Sequence, residues 1–412
     1  MSRSPTSPSF RGAYNPRSRG RGGYAPRGRA RASEPEPDNT VFLQGLNQSP
    51  SQSIPVPPTA GSDANLVISG SQCLGSYSWT NRPTPTIIVP GSPAQWLDRE
   101  SVRVNPDTGT NIIDHNGHHL GEAPMVPIFA AVDANEDADT FDWSAVDVVT
   151  DRNALRHLFR WASGNISKNF RIDLQLVGKK TLLLARWEKQ TSDEYPGYTY
   201  GSNYFSRATK KPNAEAVAHH RIVNYDWNGL NMVVRSTVDA FLPSDNDSKS
   251  EEDLDDVINA ISSLNVARDK KEQVTDVEGT ALKVIHSGAL VPQESIVEVA
   301  TISIYRESQL NWEEKGPQLY LSQIPHFYVG LHERGSFTEV RKHKFDYTTL
   351  ESDIKENLKK LRQALASIQR IIVKNGQRGR LSLVCIDGKL EVYERVDDKS
   401  FLPDEFLERF GF

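Results

Sequence analysis

Apolar and polar residues alternate with a period of two through much of the chain, and the period lengthens to a helical one in a few places. FRIDLQLVGKKTLLLARW (170–187) reads as two strands around a Gly178-Lys179-Lys180 turn, with Ile172, Leu174 and Leu176 on one face. HHRIVNYDWNGLNMVVRSTVDAFL (219–242) repeats the theme, with Asn228-Gly229 as its hairpin turn. Further strands follow in SIVEVATISIY (295–305), IPHFYVGLHERGSFTEVRK (324–342) and GRLSLVCIDGKLEVYERV (379–396), the last turning at Asp387-Gly388. QCLGSYSW (72–79) is strand-like as well. Helical spacing places Leu155, Leu158 and Phe159 on one face of VTDRNALRHLFRWA, with an end near Gly164. The clearest helix is ESDIKENLKKLRQALASIQRIIV, with Ile354, Leu358, Leu361, Leu365 and Ile368 on one stripe. Strands outnumber helices, which predicts an α+β fold with a mixed, largely antiparallel central sheet and flanking helices.

The pattern fails at two places. Residues 1–62 are rich in Arg, Gly, Pro and Ser and poor in aliphatics, so they cannot bury enough apolar surface to order themselves. They are expected to form a disordered arm ahead of one domain over 63–412, whose globular part begins near Leu66. A second break runs over 244–283, where SDNDSKSEEDLDD places seven carboxylates in 245–256. Leu254, Val257, Ile258, Ile261 and Leu264 then form a helical stripe. This insert reads as a solvated loop whose helix leans on its own domain, with a partner's groove as the alternative.

Charge sharpens the picture of the arm. The net charge is −5, yet residues 1–33 hold eight Arg and no acid, which leaves −13 for the rest. SRGRGGYAPRGRARA combines Arg19, Arg21, Arg27 and Arg29 with Tyr24, and Arg17 and Tyr14 lie just upstream. Arg supplies phosphate contacts and stacking planes, Tyr supplies stacking faces, and Gly leaves the backbone adaptable, so RNA is the expected partner. A solvated tail or a nuclear import signal is the alternative. Two distant cysteines, Cys73 and Cys385, are too few for a disulfide scaffold or a zinc site. No secretory leader or long apolar run is present. An intracellular protein, nuclear or cytoplasmic, is therefore expected, with no membrane and no DNA among its partners.

Candidate chemistry is sparse. His115, His118 and His119 resemble a metal cluster, but Asn116-Gly117 between them reads as a surface turn. Walker, dinucleotide-binding and nucleophile-elbow motifs are absent, so nucleotide hydrolysis, dinucleotide redox and esterase chemistry have no support. Asp239 and Glu298 each stand inside an apolar strand, which is uncommon unless the acid is paired or holds a ligand. A salt bridge to Arg152 or Arg235 is the structural alternative to metal binding.

Four blocks in order resemble the DXO family of RNA 5′-end decapping enzymes and exonucleases: VVTDRN, VVRSTVDAF, SIVEVATIS and QLYLSQIPHFYVGL. The resemblance covers roughly residues 70–400 and implies the fold of that family. VTDRN aligns Arg152 with an RNA-binding arginine. QLYLSQIPHFYVG aligns Gln318, Pro325 and Gly330 without a gap. The resemblance makes Asp239 and Glu298 metal ligands, Glu298 and Gln318 catalytic residues, and Mg or Mn the cofactor. It also implies RNA and a 5′→3′ exoribonuclease as partners. Three groups depart from the pattern. Neither Phe205 nor Ser206 supplies an expected Glu, Thr237 stands where another Glu belongs, and Ala300 stands where a Lys belongs. Loss of these groups removes charge compensation and nucleophile activation together. The expected function is an RNA 5′-end-binding protein with a degenerate nuclease site. The alternatives are an active hydrolase in which Glu188 or Glu194 substitutes, or an RNA-binding scaffold carrying a basic tail.

Overall fold

The computed structural model describes residues 39–58, 66–134, 141–243 and 273–411. Among these residues the strands collect into a 12-stranded sheet, a seven-stranded sheet and a two-stranded ribbon. The centre of the large sheet runs Thr181–Trp187, Val148–Asp151, Asn231–Val238, Ala216–Trp227 and Ile68–Thr80 in spatial order. Val148–Asp151 lies parallel to both neighbours, and most other pairs are antiparallel. The fold is thus α+β with mixed sheets, as the alternation predicts. Asn228 and Gly229 close one hairpin with φ of 50° and 76°, and Asp387 and Gly388 close another with 50° and 80°. These positive φ values match the twist of two-residue hairpins.

Helices cover both faces of the large sheet. Arg152–Ala162, Trp312–Ser322 and Ser352–Asn375 pack on one face, where Leu158, Leu361 and Leu365 meet Ile172 and Val234. All five stripe residues of Ser352–Asn375 are buried. Val126–Asp133 and the C-terminal Phe401, Phe406 and Phe410 cover the other face against Val149, Ile222 and Val233. Two-sided cover explains why Phe170–Val177 is buried at every position, not only on the predicted face. Its polar members are paired: Arg171 donates to Asp173 at 2.6 Å and to the Gln44 carbonyl at 2.6 Å.

That last contact corrects the arm boundary. Asn39–Leu43 forms a 3-10 turn, and Gln52–Ile54 adds an edge strand to Lys389–Glu394. Val41, Leu46 and Ile54 are buried, so a few well-placed apolar residues order a segment whose average composition reads as disordered. Residues 1–38 and 59–62 of the expected arm lie outside the described residues. So do 244–272 of the insert, including its helical stripe, whereas Val274–Asp276 pairs with Lys283–Gly288 at the far edge of the large sheet. Backbone pairing thus reaches back to Val274, inside the range read as insert. The expected turn at 115–119 is a short helix, His115–Leu120. Asp114 caps it by accepting from the Asn116 amide, and Tyr77 and Trp79 both donate to the Asn116 side chain. These tertiary bonds override the turn preference of Asn-Gly. No helix among the described residues is long and apolar enough to cross a membrane.

One crossing of the chain positions the site. Asn231–Val238 belongs to the large sheet, and Ala240–Phe241 belongs to the seven-stranded sheet, where Ala240 pairs with Val297 of Ile296–Ser303. Asp239 is the residue at the joint.

Candidate functional site

The strand Val148–Asp151 ends where the helix Arg152–Ala162 begins. Asp151 stands at the N-cap of that helix but makes no cap bond, because its carboxylate is taken by Arg235 at 2.6 and 2.9 Å. Arg235 is 1% exposed and also donates to the Pro124 carbonyl and the Tyr77 hydroxyl. This buried bidentate pair fixes the strand end and therefore the first helical residue, Arg152. From there the Arg152 guanidinium donates to Glu298 at 2.6 Å and to the Thr237 hydroxyl at 3.0 Å.

Glu298 is 7% exposed and is held from two sides, since Lys315 lies 3.5 Å from its other oxygen. Burial alone would raise the Glu298 carboxyl, but the charges of Arg152 and Lys315 outweigh it and hold the group below the usual carboxylate range. Asp239 has the opposite fate. Burial, then the charge of Glu298, push it up to about 7, against the opposing pull of the Val299 amide that it accepts at 2.7 Å. The two acids of the apolar strands thus split into an ion-paired carboxylate and one that resists ionisation.

These groups adjoin a cleft of about 570 Å³ lined by Arg152, Thr237, Asp239 and Gln318. Gln318 is 5% exposed on Trp312–Ser322 and donates to the Glu314 carbonyl at 3.0 Å. Glu298 meets the cleft through its bond to Arg152. The structure therefore brings Arg152, Asp239, Glu298 and Gln318 into one neighbourhood. Arg17, Arg19, Arg21, Arg27 and Arg29 lie outside the described residues. Glu188 pairs with Arg186 at 2.6 Å, Glu194 accepts from Thr110, and neither lines the cleft.

Two further lining residues, His219 and His220, were missed by sequence reading. His219 and His220 are buried, and burial drives both imidazoles far below their ordinary value, so they are neutral. The Asn116 amide oxygen accepts from Tyr77 and Trp79, which leaves its nitrogen to donate to His220 Nε2 at 3.3 Å. The His220 proton then sits on Nδ1, a buried donor without a partner among the described residues. His219 Nε2 and Asn153 Nδ2 are likewise unpartnered. Lys315 was missed as well: it lies on Trp312–Ser322, past the end of the Glu298 strand and a 3-10 helix, and no sequence spacing links the two.

A divalent cation takes oxygen donors, waters included, but needs one or two carboxylates free of other cations. The donor set here does not fit one. Glu298 is spent on Arg152 and Lys315, and one oxygen of Asp239 is taken by the Val299 amide. Ser206, where the resemblance expects a Glu, turns its hydroxyl back to the Ser202 carbonyl. Among the described residues no group of three His, Cys, Asp or Glu side chains is placed to hold a metal.

A family model described as a domain of unknown function, DUF8563, matches residues 58–410. The chain belongs to the DUF8563 family. No curated protein matches this DUF8563 chain by sequence. Solved structures do match its fold. Candida albicans Rai1 in complex with pU5 and Mn2+ aligns with a TM-score of 0.52 at 13% identity, covering 87% of this chain and 99% of that one. Scheffersomyces stipitis Rai1 gives 0.51 at 10% identity, covering 87% and 97%. S. pombe Rai1 in complex with 3′-FADP gives 0.50 at 12% identity, covering 82% and 96%. Rai1 is a DXO-family protein, so the DUF8563 chain shares the fold that the four sequence blocks imply. At these identities the likeness is one of fold.

Proposed function

We propose that this chain binds the 5′-phosphorylated end of RNA in the cleft and has set aside the metal chemistry of proteins with this fold. The observation that carries this reading is the pairing of Glu298 with both Arg152 and Lys315. Two side-chain cations stand where the resemblance expects metal charge. They neutralise the retained acid without supplying an activated water. The cleft keeps basic and hydrogen-bonding walls, and buried donors without partners favour a ligand rich in acceptor oxygens. Neighbours of the same fold were solved with pU5 and with 3′-FADP, both phosphate-bearing ligands. The arginines of the arm add a sequence-independent attraction to the RNA chain. The exoribonuclease partner rests on the family resemblance alone.

The test is a titration of the full chain with a short RNA carrying a 5′-phosphate or a 5′-hydroxyl, in magnesium and again in EDTA. Tighter binding of the phosphorylated end, equal in both buffers and without cleavage, is expected. Thr237→Glu with Ala300→Lys and Ser206→Glu restores the missing groups and is expected to bring back metal-dependent cleavage. Robust cleavage by the wild type, lost in Asp239→Ala, would overturn the reading in favour of an active hydrolase.

A further inference from the structure

Four guanidinium groups line the cleft: Arg152, Arg156, Arg186 and Arg235. Three have a carboxylate at 2.6 Å, namely Glu298 for Arg152, Glu188 for Arg186 and Asp151 for Arg235. Arg156 does not. Its nearest acid, Glu314, lies 3.9 Å away and is closely bonded to Arg160 instead. Arg156 Nε is buried and has no hydrogen-bond partner among the described residues. Asn153 Nδ2, three residues earlier on the same helix and also lining the cleft, is in the same condition. Residues three and four apart on a helix are neighbours, with Cβ atoms about 5–6 Å apart. Arg152, Asn153 and Arg156 therefore present one continuous donor surface, and its Arg156 end has no closely bonded anion.

We infer that Arg156, with Asn153 beside it, receives the phosphodiester that follows the 5′-terminal phosphate, so that the cleft grips a polynucleotide and not a lone mononucleotide. The inference rests on the proposed function and deepens it. Arg156 is suited to this role because it is the arginine of the cleft without a close internal counter-ion. Its side chain is 31% exposed, against 13% for Arg152 and 13% for Arg160, so an incoming phosphate reaches it. Burial, then the charge of Arg160, already disfavour its charged form, and the opposite charge of a phosphate would offset them. A planar guanidinium and a neighbouring amide offer several N–H groups to one phosphate, which an ammonium cannot match.

The experiment titrates full-length wild type and Arg156→Gln with 5′-phosphorylated pentauridylate and with uridine 5′-monophosphate. Wild type is expected to bind the pentamer at least about tenfold more tightly, and Arg156→Gln to remove most of that advantage, a change worth about 1.4 kcal/mol. Monophosphate affinity should move far less. The salt slope for the pentamer should fall by roughly 0.7, the value of one single-strand phosphate contact. Arg156→Lys keeps the charge and is expected to keep the slope while losing affinity, and it serves as the second variant if the Gln form does not fold. Equal losses for pentamer and monophosphate, or no loss for either, would overturn the inference while leaving the cleft reading in place. If wild type binds neither ligand, the proposed function fails and takes the inference with it. Displacement of the pentamer from Arg156 by an acidic peptide at lower concentration would reassign the site to a protein segment.

Discussion

Removing the charge of Asp239 is expected to stabilise the fold at alkaline pH. Its folded value lies above the unfolded one of about 3.9. The cost of the buried charge is therefore absent below that value, grows as pH rises, and is complete above about 7. Asp239→Asn keeps an oxygen for the Val299 amide and sheds the charge. Its gain over wild type should be near zero at about pH 3 and on the order of 1–3 kcal/mol at pH 8, read from urea midpoints at the two pH values. A gain that does not change with pH would contradict the assignment. Glu298→Gln should act in the opposite sense. It strips Arg152 and Lys315 of their shared anion and is expected to cost about 2–4 kcal/mol at neutral pH, as breaking a buried pair does. The loss is softened because Asp239 ionises more easily once Glu298 is neutral, so the double variant should be measurably non-additive.

Among the elements, the joint between Val148–Asp151 and Arg152–Ala162 carries the site. Asp151 gives up its capping role to hold Arg235, which is buried beneath the sheet end. Asp151→Asn leaves that arginine without a counter-charge and is expected to cost about 3–5 kcal/mol. The same change should weaken binding of 5′-phosphorylated RNA, because Arg152 is aimed by the joint. Chemical denaturation with a parallel RNA titration checks both outcomes. The strand pattern and the Ser352–Asn375 helix were legible in the sequence because two-fold and 3.6-fold periodicities survive local noise. The His115–Leu120 helix was not, because its anchor is Asn116 buried against Tyr77 and Trp79, residues more than 35 positions away. Arg156 carried a faint signal, being four residues after Arg152 on a helix that the pattern already predicts.

For the whole molecule, the prediction concerns the N-terminal arginines. Deleting residues 1–33 removes eight positive charges and is expected to lower RNA affinity and flatten its salt dependence, since each arginine–phosphate contact releases counter-ions. The preference for a 5′-phosphate should survive the deletion, because that preference belongs to the cleft. Titration of the truncated and full chains at two salt concentrations separates the two contributions. Loss of the end preference with the arm would show that the arm, not the cleft, reads the 5′ end.

The sequence by itself determined the class of fold, the strands and the main helices, since these follow from periodicity and turn chemistry along the chain. It also marked Arg152, Asp239, Glu298 and Gln318 as one set, through the order of the four blocks. Only the tertiary structure decided what those residues do to one another. Glu298 is paired by Arg152 from one sheet end and by Lys315 from the helix Trp312–Ser322. The Asp239 carboxyl is pushed up because the chain changes sheets at that residue and buries it beside Glu298. Charge pairing depends on distance through space, and distances of that kind are set by how the sheets and helices pack.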